Sequence, residues 1–315
     1  MDRRQLIAGL ALGGLAASLA ACAKGSGQPV LKVGSQRGGA KAILLASGAL
    51  EGATYRVEWS EFPAAAPLLE ALSAGAIDLG EAGDAPFLFA YAGGAKIKAV
   101  QAGQSGGAGT AILVRKDSPI ATPADLKGRK IATGRGSIGH YLLLRVLENA
   151  GLKPADVTLV YLTPGDAKAA FTAGSIDAWV TWGSYIALAR LHDAARILAD
   201  GTGVISGFGY EAASERAIAD KRPQVEDFLR RLAKARRWAA ANPEAFAKVL
   251  SRETGLSEEI ALYTVRNYRL LPTPIGEASV AESRAVLDRF RAGGAISGAR
   301  DPAGAFDASF NGTLS

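Results

Sequence analysis

The sequence predicts an α/β protein of two lobes with a helical C-terminal part, and three observations predict it. A strand, a glycine-rich turn and a helix follow one another twice, about a hundred residues apart. Both units close on the same Ala-Gly-x-Ile-Asp signature, with Ile77-Asp78 and Ile176-Asp177 separated by 99 residues. From Pro223 onward the apolar residues instead recur at helical spacing.

The first unit opens with strand Leu31-Lys32-Val33, turns through Gly34-Ser35-Gln36-Arg37-Gly38-Gly39 and continues as a helix from Ala40. Its second strand is Tyr55–Trp59. A proline-containing helix then ends at Gly75, a residue suited to the left-handed position past a helix end. Ile77-Asp78 opens a third strand. The second unit repeats this order: strand Lys130–Thr133, loop Gly134–Gly139, helix from His140 and strand Val157–Leu162. A helix after Thr163-Pro164 ends at Gly174, before Ile176-Asp177. Strand–helix alternation of this kind predicts one largely parallel sheet per lobe.

In the tail, Val225, Phe228, Leu229, Leu232, Ala235, Trp238 and Ala239 form one apolar helix stripe. Arg230, Arg231, Lys234, Arg236 and Arg237 lie beside it, interleaved with Glu226 and Asp227, and are expected on a solvated face rather than against nucleic acid. A further helix is expected from Val280 to Ala292.

The N-terminal segment reads as an address. Arg3 and Arg4 precede the apolar run Leu6–Leu19, too short for a membrane span of roughly 20 residues and suited to a signal core. It ends in Leu19-Ala20-Ala21-Cys22, which resembles a bacterial lipobox and contains the only cysteine in the chain. Residues 1–21 are thus expected to be a signal peptide and 22–30 a tether. The body would be exported and anchored through lipidated Cys22 to the periplasmic face or cell surface.

Composition narrows the chemistry. With 315 residues, 49% hydrophobic and 21% charged, the chain is not disordered. One cysteine and two histidines leave no disulfide framework or zinc cluster. The Gly34–Gly39 turn is no P-loop, because Ala40 stands where a lysine belongs. Gly134-x-Gly136-x-x-Gly139 fits a dinucleotide fingerprint, but its candidate ribose acid, Asp166, lies beyond a proline turn. No cofactor is expected. Both turns instead present backbone N–H groups and the positive end of a helix dipole, a setting for an anion.

Several motifs carry a family resemblance. In the first lobe they are Trp59-Ser60-Glu61-Phe62-Pro63, Leu69–Leu72 through Ile77-Asp78-Leu79-Gly80, and Gly83-Asp84-Ala85-Pro86. In the second they are Asp125–Gly128, Gly136-Ser137 with His140, Leu142–Arg145, Tyr161–Pro164 and Asp177-Ala178-Trp179 up to Trp182. Together these resemble the substrate-binding proteins of aliphatic sulfonate ABC transporters, within a sulfonate, taurine, nitrate and thiamine-precursor group. The resemblance spans roughly Leu31 to Tyr210.

It implies the two-lobed periplasmic binding protein fold (type II-like), with a hinge of two crossover strands near Ala111–Arg115 and Ser206–Ala213. Lobe I would take residues 31–113 and 206–315, lobe II residues 114–205. The implied function is capture of a small organic anion and its delivery to membrane permease subunits by a monomer, without catalysis. Implied ligand-binding residues are Gln36, Arg37, Gly38, Gly39, Asp84, Ala85, Ser137, Gly139, His140, Trp182 and Tyr185. Several have plain alternatives: Gln36 as a residue that orders its own turn, Arg37 as a solvent-facing loop charge, and Asp84 as the start of a helix. At a helix N-terminus His140 is expected neutral.

Two departures stand out. Trp182-Gly183-Ser184-Tyr185 replaces the family's usual Trp-Asp-Pro-Tyr, and Glu81 stands where a small hydroxyl residue is usual. Facing the cleft, Glu81 would meet a ligand amine; facing away, it would mean nothing. Taurine, nitrate or a thiamine pyrimidine precursor are the rival ligands. An enzyme on the same fold, a desulfinase-like hydrolase, is disfavoured because the sole cysteine is committed to the lipobox.

Overall fold

A computed structural model describes residues 28–297 and 300–315, so the signal segment, Cys22 and most of the tether lie outside the described residues. The chain begins β1 (Val30–Gln36), α1 (Ala40–Ser47), β2 (Arg56–Phe62), α2 (Ala65–Ser73), β3 (Leu79–Gly83), α3 (Asp84–Ala92) and β4 (Ile97–Gln104). It continues β5 (Thr110–Arg115), β6 (Lys130–Thr133), α4 (Ile138–Asn149), β7 (Thr158–Tyr161), α5 (Pro164–Thr172), β8 (Ala178–Trp182), α6 (Ser184–His192) and β9 (Ala195–Asp200). It then forms β10 (Phe208–Ser214), α7 (Glu215–Asp220), α8 (Arg222–Ala241), α9 (Pro243–Thr254), α10 (Glu258–Asn267), β11 (Leu271–Thr273) and α11 (Glu277–Ala292).

The first sheet has the order β11-β4-β10-β3-β1-β2 and the second β7-β6-β8-β5-β9. Each contains three parallel strands from one repeat unit, then a strand paired antiparallel on both sides, β10 in one and β5 in the other. The repeated Ile-Asp signature has one structural meaning in both units. The N–H of Lys32 donates to Asp78 Oδ2 at 2.8 Å, and that of Lys130 to Asp177 Oδ2 at 2.8 Å. The N–H groups of the two aspartates donate back to the carbonyls of Lys32 and Lys130. Each carboxylate thus satisfies backbone where the ladder between first and third strand starts.

The α8 stripe packs as its spacing requires. Val225, Phe228, Leu229 and Leu232 are fully buried against Leu31 and Val33 of β1 and Leu44 of α1. At roughly 1.5–3 kcal/mol per side chain, this layer is a large favourable term against chain entropy. On the other face of the first sheet, α2 and α3 contribute Leu68, Leu72 and Phe87 to a second core. The second sheet buries Trp179, Phe171 and Ile176. The tail also reaches the second lobe, because α10 packs on α6 and α11 on α4.

The expected crossover strands differ from what is found. β5 and β10 each lie wholly within one sheet, and the chain crosses just before them, through 105–109 and 201–207. The expected lobe boundary at 113/114 therefore falls inside a strand of the second sheet. The crossings are glycine- and serine-rich and carry no strand pattern, so only the strands that follow them are visible in sequence. The Ser105 N–H donates to the Gly207 carbonyl at 3.0 Å, and the Gly201 N–H to the Thr110 carbonyl at 2.9 Å.

Asp78 also pairs with Lys221 Nζ at 2.7 Å while only 3% of its side chain is exposed, whereas Asp177 is half-buried. We predict that Asp78→Ala costs about 2–3 kcal/mol and Asp177→Ala about 1 kcal/mol in urea unfolding. Equal losses would contradict the contribution of the buried pair.

Candidate functional site

The β1–α1 turn is fixed from beneath by Glu81 of β3. Its Oε1 accepts the Gln36 N–H at 2.6 Å and the Ser35 hydroxyl at 3.1 Å, while Gln36 Nε2 donates to the Glu81 carbonyl at 3.1 Å. Only glycine suits position 39, since a Cβ there would lie 1.9 Å from that carboxylate oxygen. Gly38 has φ +80°, which also favours glycine. Arg37 turns away, its exposed guanidinium donating to the Thr254 carbonyl.

The third helix begins on a buried carboxylate. Asp84 is fully buried; its Oδ1 accepts the Ala85 N–H at 2.7 Å, and its Oδ2 accepts the Ser206 hydroxyl at 3.3 Å across the return crossing. Burial, reinforced by the charge of Glu282, pushes Asp84 up to about 7. The preceding Gly83 would place a Cβ 3.7 Å from that of Ile138, so the turns entering α3 and α4 meet across the lobes.

The α4 turn differs in charge. Ser137 is the N-cap, its Oγ accepting the His140 N–H at 3.1 Å, and the first turn of the helix contains no acid. His140 is buried inside the turn. Its Nδ1 accepts the Gly136 N–H at 3.2 Å, and its Nε2 faces the Tyr161 hydroxyl at 3.4 Å. Burial, with Arg135 nearby, pushes it down to about 4, so the ring is neutral at neutral pH. This position makes His140 a support for the turn. Gly139 lets α4 approach the sheet, since a Cβ there would lie 2.7 Å from Thr133 Oγ1. Trp182 is half-buried, 3.9 Å from the Cβ position of Gly134, while Tyr185 packs edge-on against Trp179 at 5.8 Å.

Sequence reasoning missed three residues. Arg236, expected on a solvated face, is 5% exposed and donates to Glu211, which is completely buried. The signal was available: position 236 follows Leu229 and Leu232 at helical spacing and therefore falls within the apolar stripe. Glu211 is register partner to both Glu81 and Gln101, so the three align across the sheet beneath α8. Tyr268 lies past the end of α10 with its ring where a Cβ on Gly109 would be, over the outgoing crossing. A cavity of about 110 Å³ joins these parts, lined by Gly38, Gly39, Glu81, Arg236, Tyr268 and Arg269 and by residues of α1, α8, α9 and α10. Among the described residues, no group of three or more His, Cys, Asp or Glu side chains is placed to hold a metal ion.

Residues 57–246 match the family model described as NMT1/THI5 like. A relative from Escherichia coli (strain K12), named for aliphatic sulfonate binding, is 40% identical over 253 residues, covering 78% of this chain and 79% of the relative. The alkanesulfonate-binding protein SsuA from Xanthomonas axonopodis pv. citri, solved bound to MOPS, superposes with a TM-score of 0.84 at 33% identity. That match covers 90% of this chain and 99% of the other. The periplasmic aliphatic sulphonate binding protein SsuA from Escherichia coli gives a TM-score of 0.75 at 33% identity, over 83% of this chain and 86% of the other.

The folded His140 titrates near 4 and an unfolded imidazole near 6.5, so between these values the folded state binds fewer protons. Its contribution to stability is complete above pH 6.5 and is lost as the pH falls toward 4. We predict that His140→Gln removes a loss on the order of 3 kcal/mol from the pH 7-to-4 unfolding profile. An NMR midpoint near 6.5 for the His140 ring would contradict this.

Proposed function

The chain belongs to the NMT1/THI5-like family, and on that premise we propose that it is the extracytoplasmic solute-binding component of an ABC importer for an organic sulfonate. The observation that carries the ligand class is the α4 turn, a helix N-terminus with a serine cap, no acid in its first turn and a neutral histidine beneath it. A sulfonate is ionised at every relevant pH and needs donors only, which backbone N–H groups and a hydroxyl supply. Gln36, Gly38 and Gly39 form the facing turn in lobe I, with Asp84-Ala85 and Ser137-Gly139 where the lobes meet. Trp182 forms the apolar wall for an organic tail, and Tyr185 supports that wall through Trp179.

The lobes are the two sheet layers, exchanged at 105–109 and 201–207. Ligand touching both would favour their closure by bending there, and the closed form would dock on permease subunits as a monomer. The protein is a binder, not a catalyst: incubation with sulfonates or sulfinates is expected to release no sulfite, and turnover would overturn this reading. Export and anchoring are supported by the lipobox-like run Leu19-Ala20-Ala21-Cys22. Cys22→Ala is expected to move the protein out of the membrane fraction of the producing cell; unchanged membrane association would remove the anchor.

A thermal-shift panel tests the ligand. Alkanesulfonates at a hundred times their dissociation constant are expected to add about 2.7 kcal/mol, a rise of several degrees. Nitrate and a thiamine pyrimidine are expected to give none. A shift from either of those, with none from sulfonates or taurine, would sink the sulfonate assignment.

A further inference from the structure

The cavity behind the β1–α1 turn holds polar atoms that the protein itself does not satisfy. Glu81 Oε2 and the Nε and Nη1 of Arg236 are buried without a hydrogen-bond partner among the described residues, and both side chains line the cavity. Glu211 Oε2, on the carboxylate that Arg236 pairs with, is likewise buried without a partner among the described residues, though Glu211 does not line the cavity. Unsatisfied buried groups are costly, and two side chains that carry them border one space, a place where a ligand or water completes the network.

The sign of the missing partner follows from what is already used. Glu81 Oε1 is an acceptor for Gln36 and Ser35, so a proton on this carboxyl resides on Oε2, the atom without a partner. Arg236 offers donors only, and its charge is balanced by Glu211. We propose that this cavity receives oxygens of the ligand's anionic head group, with Glu81 acting as a protonated acid and Arg236 as the second donor. The assignment rests on the sulfonate reading and gives the head group a place in lobe I. Gly38 and Gly39 bring the start of α1, the positive end of its dipole, to the same space.

Protonation makes this consistent. Burial, and then the Glu211 carboxylate opposite, push Glu81 up to about 8, against the lowering influence of Gln36, Arg236 and Ser35. Glu211 on β10, Arg236 on α8, and Tyr268 and Arg269 after α10 are the titratable or charged groups around the cavity, with Asp84 close by. At neutral pH the Glu81 acid is therefore mostly a donor. When ionised, it would repel the anion it otherwise binds. Affinity for an anion thus falls as the pH rises through the Glu81 midpoint, by about tenfold per unit above it.

Calorimetric titration of the wild type and Glu81→Gln with ethanesulfonate, from pH 6.5 to 9.5, tests this. Glutamine keeps a donor but cannot titrate. The variant is expected to bind about threefold more weakly at pH 6.5, and the wild type to lose about thirtyfold more affinity than the variant by pH 9.5. The curves therefore cross. Asp84 titrates in both proteins, so their difference reports Glu81 together with its electrostatic coupling to Glu211.

Parallel curves overturn the proposal, as does a wild-type affinity that is flat or rises with pH. A wild type that binds no organic sulfonate at any pH sinks the proposed function on its own. Inorganic sulfate in the same series then judges the cavity: a wild type weakening above pH 8 beside a level variant keeps it, and absent or pH-independent sulfate binding overturns it.

Discussion

The two-lobed arrangement depends on two chain segments passing each other at backbone contact distance. A Cβ on Gly107 would lie 2.3 Å from the Gly201 carbonyl oxygen, and one on Gly201 would lie 2.4 Å from the Gly107 carbonyl oxygen. A Cβ on Gly207 would lie 2.4 Å from the Gly107 nitrogen. No side chain fits among these three positions, and Gly107 and Gly207 also have positive φ. At each crossing the chain leaves one sheet and enters the antiparallel strand of the other, β5 or β10, and the turns entering α3 and α4 face one another. Tyr268 then lies over the outgoing crossing at Gly109, and Leu270 packs beside it on Gly103 of β4 and Gly209 of β10. The contact between the crossings is thus made by glycines, held by backbone hydrogen bonds and covered by a tail segment.

A second constraint is electrostatic. The lobe I helices α1 and α3 start against buried carboxylates, Glu81 and Asp84, whose protonation is favoured by burial. The α4 helix of lobe II starts on a serine with a neutral histidine beneath it. The Arg236–Glu211 pair contributes a guanidinium whose charge is compensated and whose remaining donors are unused. Such a pair is weak evidence for stability, because desolvating both ions offsets much of their attraction. Its position beside the cavity gives it a part in the ligand account.

Much of the fold was legible because it is repeated. Ile77-Asp78 and Ile176-Asp177 marked equivalent positions, and both aspartates bind the backbone of the first strand in their unit. The α8 stripe was legible from spacing alone. The crossings were not, because Gly106, Gly107, Gly201 and Gly207 act through the absence of a side chain, which leaves no periodic signal. Within the candidate site, the turns at Gly38-Gly39 and Ser137–His140 were visible as glycine-rich helix starts. The inward direction of His140 and the burial of Arg236 were not recognised, because each depends on what a distant segment packs against it. Glu81 was singled out by its residue type, but which way it faced could only come from the fold.

In the proposed function an organic sulfonate sits between the turns of α1 and α4. Crystals grown with 2-bromoethanesulfonate locate the ligand directly through anomalous scattering from its bromine. The account predicts one bromine peak in the cleft beside Trp182, with sulfonate density against the Gly38-Gly39 and Ser137 turns. A bromine peak elsewhere, or a cleft left without ligand density at saturating concentration, would contradict it.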